Sequence, residues 1–158
     1  MTMTKYHWAD YNEYLVLKVP RFLLLTMIYL LKHWVIFVLP LISQIPALIQ
    51  FAHTYFSLPL LLSSMPAIPL IISWLRRVPQ TRSPLIRRIW QYGRLLLITS
   101  LMLELILIVL FYMIGQYKMD ETWLLFLYLD LVFIIYVLKS QRVRDVFAEF
   151  PSADKFQN

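Results

Sequence analysis

Lys32 and His33 stand side by side inside an apolar run that starts at Phe22 and ends near Ile42. Two later apolar runs each carry one acid, Glu104 and Asp130. An ammonium, an imidazole and two carboxyls are the parts from which ion pairs and proton relays are made. Hydrocarbon is a costly place for them: a charge at mid-bilayer costs about 2.5–3.5 kcal/mol on insertion scales. Such residues face the interior of a bundle and pair there. The expectation is therefore that Lys32 faces the helices bearing Glu104 and Asp130 and pairs with one or both. Two carboxylates beside one ammonium leave an imbalance, so either one acid holds a proton or His33 shares the charge. Three roles stay open for this candidate network: a lock on helix register, a proton or ion relay, and a surface for a partner.

The depths of the charges support the idea. Glu104 lies ten residues from Ile114, about 15 Å along a helix at its usual rise. Asp130 lies eight residues from Thr122, and Lys32 eight residues from Pro40, each about 12 Å. All three fall within one helical turn of a common level.

The elements that must carry them are four apolar blocks, at about 21–40, 57–75, 95–114 and 122–138. Each is long enough, or nearly so, to cross a hydrocarbon core of roughly 30 Å as a helix. Helices are expected because a lone strand leaves its backbone groups unsatisfied in lipid. The fold class read from this is all-α: a single polytopic domain over residues 1–158 with four membrane spans. The composition agrees, with 60% hydrophobic and 15% charged residues in 158; soluble domains have roughly a quarter charged.

Thirteen of the fifteen Lys and Arg residues fall in segments 1–20, 76–94 and 139–158 or at their edges, and the opposite loops hold only Lys118. Basic residues stay on the cytoplasmic side, so both termini are expected there. The net charge of +6 then lies along anionic headgroups rather than on nucleic acid. Arg76, Arg77, Arg87, Arg88, Arg142 and Arg144 are the candidate contacts to anionic lipid.

Short amphipathic helices are expected at 83–94, with Ser83 as cap and Gly93 as the turn into the third span; at 140–151, with Val143, Phe147 and Phe150 on one face and Arg142, Arg144, Asp145 and Glu149 toward water; and at 46–56. In the second span, Pro66 and Pro69 each remove a helical hydrogen bond and should kink it. A broken helix at mid-membrane is a place where transporters build binding sites.

Other chemistry is poorly represented. There is no cysteine, which excludes disulfides and thiolate sites, and two glycines cannot make a phosphate-cradling loop. The three histidines fall at three expected heights, so neither a metal nor a cofactor is expected. No catalytic motif such as H-E-x-x-H or G-x-S-x-G is present, and no enzymatic activity is expected.

Two stretches resemble a known family. "DYNEYLVLKVP" (10–20) resembles its opening, through Leu17, Lys18 and Pro20. "LDLVFIIYVLKSQRVRDVFAEFP" (129–151) resembles its closing span and tail, through Asp130, Ser140, Arg142, Arg144, Asp145, Phe147, Phe150 and Pro151. The family is the YfeZ-like group of bacterial inner membrane proteins, a domain of unknown function. The sequence departs from its pattern at Tyr14, where a glycine precedes the leucine. The resemblance implies a Gram-negative inner membrane location and no activity. The resulting expectation is a small structural or accessory protein that binds a membrane-protein partner or a second copy, with a proton-coupled transporter or relay as the alternative.

Overall fold

A computed structural model describes residues 6–79, 81 and 83–151; Lys5, Arg82 and Lys155, counted above with the basic residues, lie outside them. The described chain is all-helical apart from one antiparallel bridge, Tyr11 to Leu17. After a 3-10 turn at Trp8–Asp10, the helices are α1 (Arg21–Leu30), α2 (Lys32–Ile42), α3 (Pro46–Tyr55), α4 (Leu58–Ser63), α5 (Ala67–Leu75), α6 (Pro84–Gln91), α7 (Gly93–Met113), α8 (Glu121–Lys139) and α9 (Gln141–Ala148). Three stretches are long and apolar enough to cross a membrane: Leu58–Leu75, Gly93–Met113 and Glu121–Lys139, with mean hydropathies of 1.8, 2.6 and 1.9. A fourth exists if α1 and α2 form one span, and these meet at a 52° bend.

That bend corrects the expectation of a continuous first helix. It falls at Leu31, with Pro40 well inside α2 and no glycine near. Bonds from Leu31 N–H to Ile28 C=O and from Trp34 N–H to Leu31 C=O tighten the chain there to 3-10 geometry. The second span breaks where its prolines suggested, but only once. Pro66 caps α5 while Pro69 sits in that helix's first turn, where a missing N–H has no intrahelical partner to lose. Carbonyls deprived by the two prolines are served by earlier donors: Met65 N–H bonds Leu62 C=O, and Ile68 N–H bonds Met65 C=O. Ser63 and Ser64 hydroxyls donate at 2.7 Å to the carbonyls of Leu60 and Leu61.

The long helices are apolar on the outside. α7 buries Leu97, Ser100, Leu101, Glu104 and Ile108 at three- and four-residue spacing, while Leu95, Leu103, Ile106, Val109, Leu110 and Met113 are exposed. α8 does the same, burying Asp130, Phe133 and Val137 and exposing Leu124, Leu131, Ile135 and Leu138. Charge inside and aliphatic surface outside reverse the pattern of a helix that packs in water.

At one end of the bundle, the N-terminal turn, the segment around α6 and the tail fold into a common cap. Asn12 organises the turn: its Oδ1 accepts from the N–H groups of Tyr14 and Val16, and Leu15 takes a positive φ of 53°. Tyr6 donates to Asp145 at 2.6 Å, and Arg142 pairs with Asp10 at 2.8 Å. The peptide of Leu17 is clamped from both sides. Its N–H donates to Glu149 and its carbonyl accepts from Arg77. The tail residues Arg142, Asp145 and Glu149, expected to face water, are thus used to dock the N-terminal turn. The opposite end is closed by aromatic contacts of Tyr55 and Tyr117 with Trp123, and by Tyr55 donating to Asp120 at 2.5 Å.

Two cap details differ from expectation. Ser83 occupies the cap of α6 without a side-chain hydrogen bond. Gly93 is required by contact rather than by turning, since a Cβ there would meet the Phe147 ring at 2.3 Å and Leu70 at 2.7 Å. Gly93→Ala is therefore expected to destabilise the purified protein by about 1–3 kcal/mol through overpacking. Adding Phe147→Leu should return part of that loss. Equal thermal unfolding temperatures for Gly93→Ala and the parent in detergent would refute the contact.

Candidate intramembrane polar site

The break at Leu31 makes Lys32 and His33 the first two residues of α2. Opposite them, the inner stripe of α7 delivers Glu104, whose side chain is entirely buried. Lys32 Nζ forms an ion pair with Glu104 Oε1, and His33 Nε2 lies 3.2 Å from the same oxygen. Aromatic rings wall the ammonium: Nζ stands 3.5 Å from the centroid of Tyr29 and 5.2 Å from that of Phe126. Ring faces attract a cation, more so when water is excluded. Phe126 also meets the His33 ring edge-on, with centroids 6.5 Å apart.

Asp130 completes the group from α8. It too is fully buried, and it lies within the electrostatic field of Glu104 and Lys32. The Tyr29 hydroxyl stands within reach of this carboxyl and donates to the Phe126 carbonyl at 3.1 Å. The four expected residues therefore share one region, but unequally. Lys32, His33 and Glu104 touch, whereas Asp130 stands next to that contact without joining it.

Tyr29 and Ser100 were missed by sequence reasoning. Tyr29 precedes Lys32 by three positions and Ser100 precedes Glu104 by four, the spacings that place side chains on one helix face. The Ser100 hydroxyl is buried without a hydrogen-bond partner among the described residues. No group of three or more His, Asp or Glu residues among those described is arranged to hold a metal ion.

The six arginines expected to meet lipid divide. Arg76, Arg88 and Arg144 are exposed and Arg87 is half-buried over the Phe150 ring. Arg77 is not on that surface. It is only 7% exposed, donates to the carbonyls of Leu17 and Glu149 at 2.8 and 2.9 Å, and stacks 4.7 Å from the Trp90 ring. Burial pulls its pKa down to about 10, partly opposed by Glu149, which leaves it cationic at neutral pH. Three backbone acceptors, Leu17 from the N-terminal segment and Val146 and Glu149 from the tail, explain its placement: the planar guanidinium fork reaches several carbonyls at once. Arg142, paired with Asp10, is likewise half-buried.

Residues 6–149 match the family described as "Protein of unknown function (DUF2919)". The chain belongs to the DUF2919 family. No curated protein and no solved structure matches it. For this DUF2919 chain, then, chemistry must be argued from the site itself. An ammonium held against an enclosed carboxylate is held by that carboxylate's charge, and removing one partner of a buried pair typically costs about 3–5 kcal/mol. Lys32→Met is expected to destabilise by this order and to lower accumulation in cells. Combining it with Glu104→Met should recover most of the loss, because a paired apolar replacement leaves no lone charge. Chemical unfolding in mixed micelles measures both; a double variant no more stable than Lys32→Met would count against the pair.

Proposed function

We propose that this DUF2919 chain is a multi-pass protein of the bacterial inner membrane, close to the YfeZ-like members of its family. In this reading, α1–α2, α4–α5, α7 and α8 are its four spans, and both ends are cytoplasmic. Its role is structural or accessory: it holds a membrane-protein partner or a second copy, and it is not an enzyme. Aliphatic outer faces on α7 and α8 support immersion in lipid. The gathering of the N-terminal turn, the α6 segment and the tail at one end agrees with the one-sided distribution of Lys and Arg.

The observation that carries the structural role is the enclosure of Glu104 between Lys32 and His33. The charges of Lys32 and Glu104 are answered by each other, and the contact fastens the broken first span to α7. A second reading, a proton-coupled carrier or relay, is favoured by Asp130. A fully buried carboxyl beside the Lys32–Glu104 ion pair but outside it is the kind of intramembrane acid that proton relays use.

The absence of cysteine makes orientation directly testable. Lys118→Cys should react with a membrane-impermeant maleimide in intact spheroplasts, and Arg144→Cys only after permeabilisation. The opposite pattern would overturn the topology. Purification in a mild detergent should retain a partner or a dimer, and recovery solely as a lone stable monomer would remove the accessory role. In liposomes no pH-driven flux is expected. Flux abolished by Asp130→Asn in a folded variant would move the assignment to the relay.

A further inference from the structure

A cavity of about 340 Å³ opens where the N-terminal turn enters α1, within the roughly 300–1,000 Å³ of small-ligand sites. Its polar lining is Asn12, Lys18, Arg21 and Arg77, and its apolar lining includes Leu24 and Trp74. No carboxylate lines it among the described residues. Each polar group retains capacity to donate. Lys18 spends one of three donors on the Ala9 carbonyl at 3.0 Å. Asn12 uses its Oδ1 on two backbone N–H groups, which leaves its amide nitrogen. Arg77, more than nine-tenths buried, has an Nε without a partner. Arg21 is the exposed first residue of α1, a helix start with no side-chain cap, where the backbone dipole is positive.

Three cationic side chains, an amide and a helix start outnumber the one acid near them, Glu149 beside Arg77, and call for an anion with several acceptor oxygens. The apolar lining says what that anion is attached to. Leu24 lies one turn into α1 and Trp74 at the end of α5, so the cavity straddles the edge of two apolar spans. Trp is the residue suited to that boundary. We propose that this cavity binds the phosphate-bearing headgroup of an anionic phospholipid, with the acyl chains beside Leu24 and Trp74. The site rests on the membrane reading above. It differs from a diffuse basic surface because the exposed arginines Arg88 and Arg144 take no part in it.

The test is native mass spectrometry of the purified full chain in detergent, titrated with phosphatidylglycerol, with phosphatidylcholine and with inorganic phosphate. Phosphatidylglycerol should be retained in preference to phosphatidylcholine. Removing two headgroup-level charges in Lys18→Gln/Arg21→Gln should weaken it by about tenfold or more, at about 1 kcal/mol per charge. Arg88→Gln and Arg144→Gln should stay within about twofold of the parent, as residues outside the cavity. Arg21→Gln alone, at an exposed position, keeps the test valid if the double variant misfolds and should give several-fold weakening. Equal losses in the control variants, equal retention of both lipids, or displacement of lipid by millimolar phosphate would each overturn the proposal. Alkaline carbonate washing separates the two claims. A chain that stays in washed membranes without lipid preference lacks the site, whereas a chain washed free fails the membrane reading itself.

Discussion

One contact orders the interior of this protein: a carboxylate on α7, closed off from all solvent, met by an ammonium and an imidazole on α2. Its weight comes from what separation would leave. A lone anion in low dielectric has no inexpensive state, whereas the paired form recovers much of the cost as Coulomb attraction. Aliphatic packing between helices gives no such discrimination in lipid, because the tails are as apolar as leucine. Many registers of α2 on α7 would bury similar Leu and Ile surface, but only one joins Lys32 to Glu104. The ion pair thus contributes specificity more than adhesion.

The cap at one end solves a different problem by similar means. The N-terminal turn, the α6 segment and the tail are short and could not bury a core separately. They meet around Arg77 and Trp90, whose nitrogens reach carbonyls of Leu17, Val146 and Glu149. Here the charge is answered by neutral backbone oxygens. A guanidinium tolerates that because its charge is delocalised and weakly hydrated. The apolar part of the same cap, with Val143, Val146 and Phe147 against Leu70 and Leu97, extends the bundle core without a break into the tail.

Much of this was legible in the sequence. Long apolar blocks and depth matching indicated an all-helical chain with several apolar helices and the grouping of the four polar residues. The amphipathic patterns at 46–56, 83–94 and 140–151 indicated α3, α6 and α9. What was not legible depended on three-dimensional company. Arg77 looks like any surface arginine in "WLRRVPQ", since nothing local reveals the carbonyls it will meet. Gly93 looked like a hinge because glycine usually is one, but the ring it accommodates lies 54 positions away at Phe147. Pro66 and Pro69 looked equivalent until the position of the break decided which of them stood in a first turn. Asp130 was rightly set near the pair by depth, but depth alone does not say which acid the ammonium takes, and Lys32 takes Glu104.

The bend at Leu31 had no local signal, and the pair itself offers the reason for it. The 52° bend redirects α2 relative to α1, and the first two residues of α2, Lys32 and His33, both reach one carboxylate oxygen of Glu104. That turn is also the positive end of the α2 dipole, which adds to the attraction for an anion. The break and the buried pair thus occur together: the turn that opens α2 is where the enclosed carboxylate of α7 finds its cation. This makes the cluster a joint between the first span and α7, with Asp130 beside the Lys32–Glu104 ion pair but not part of it.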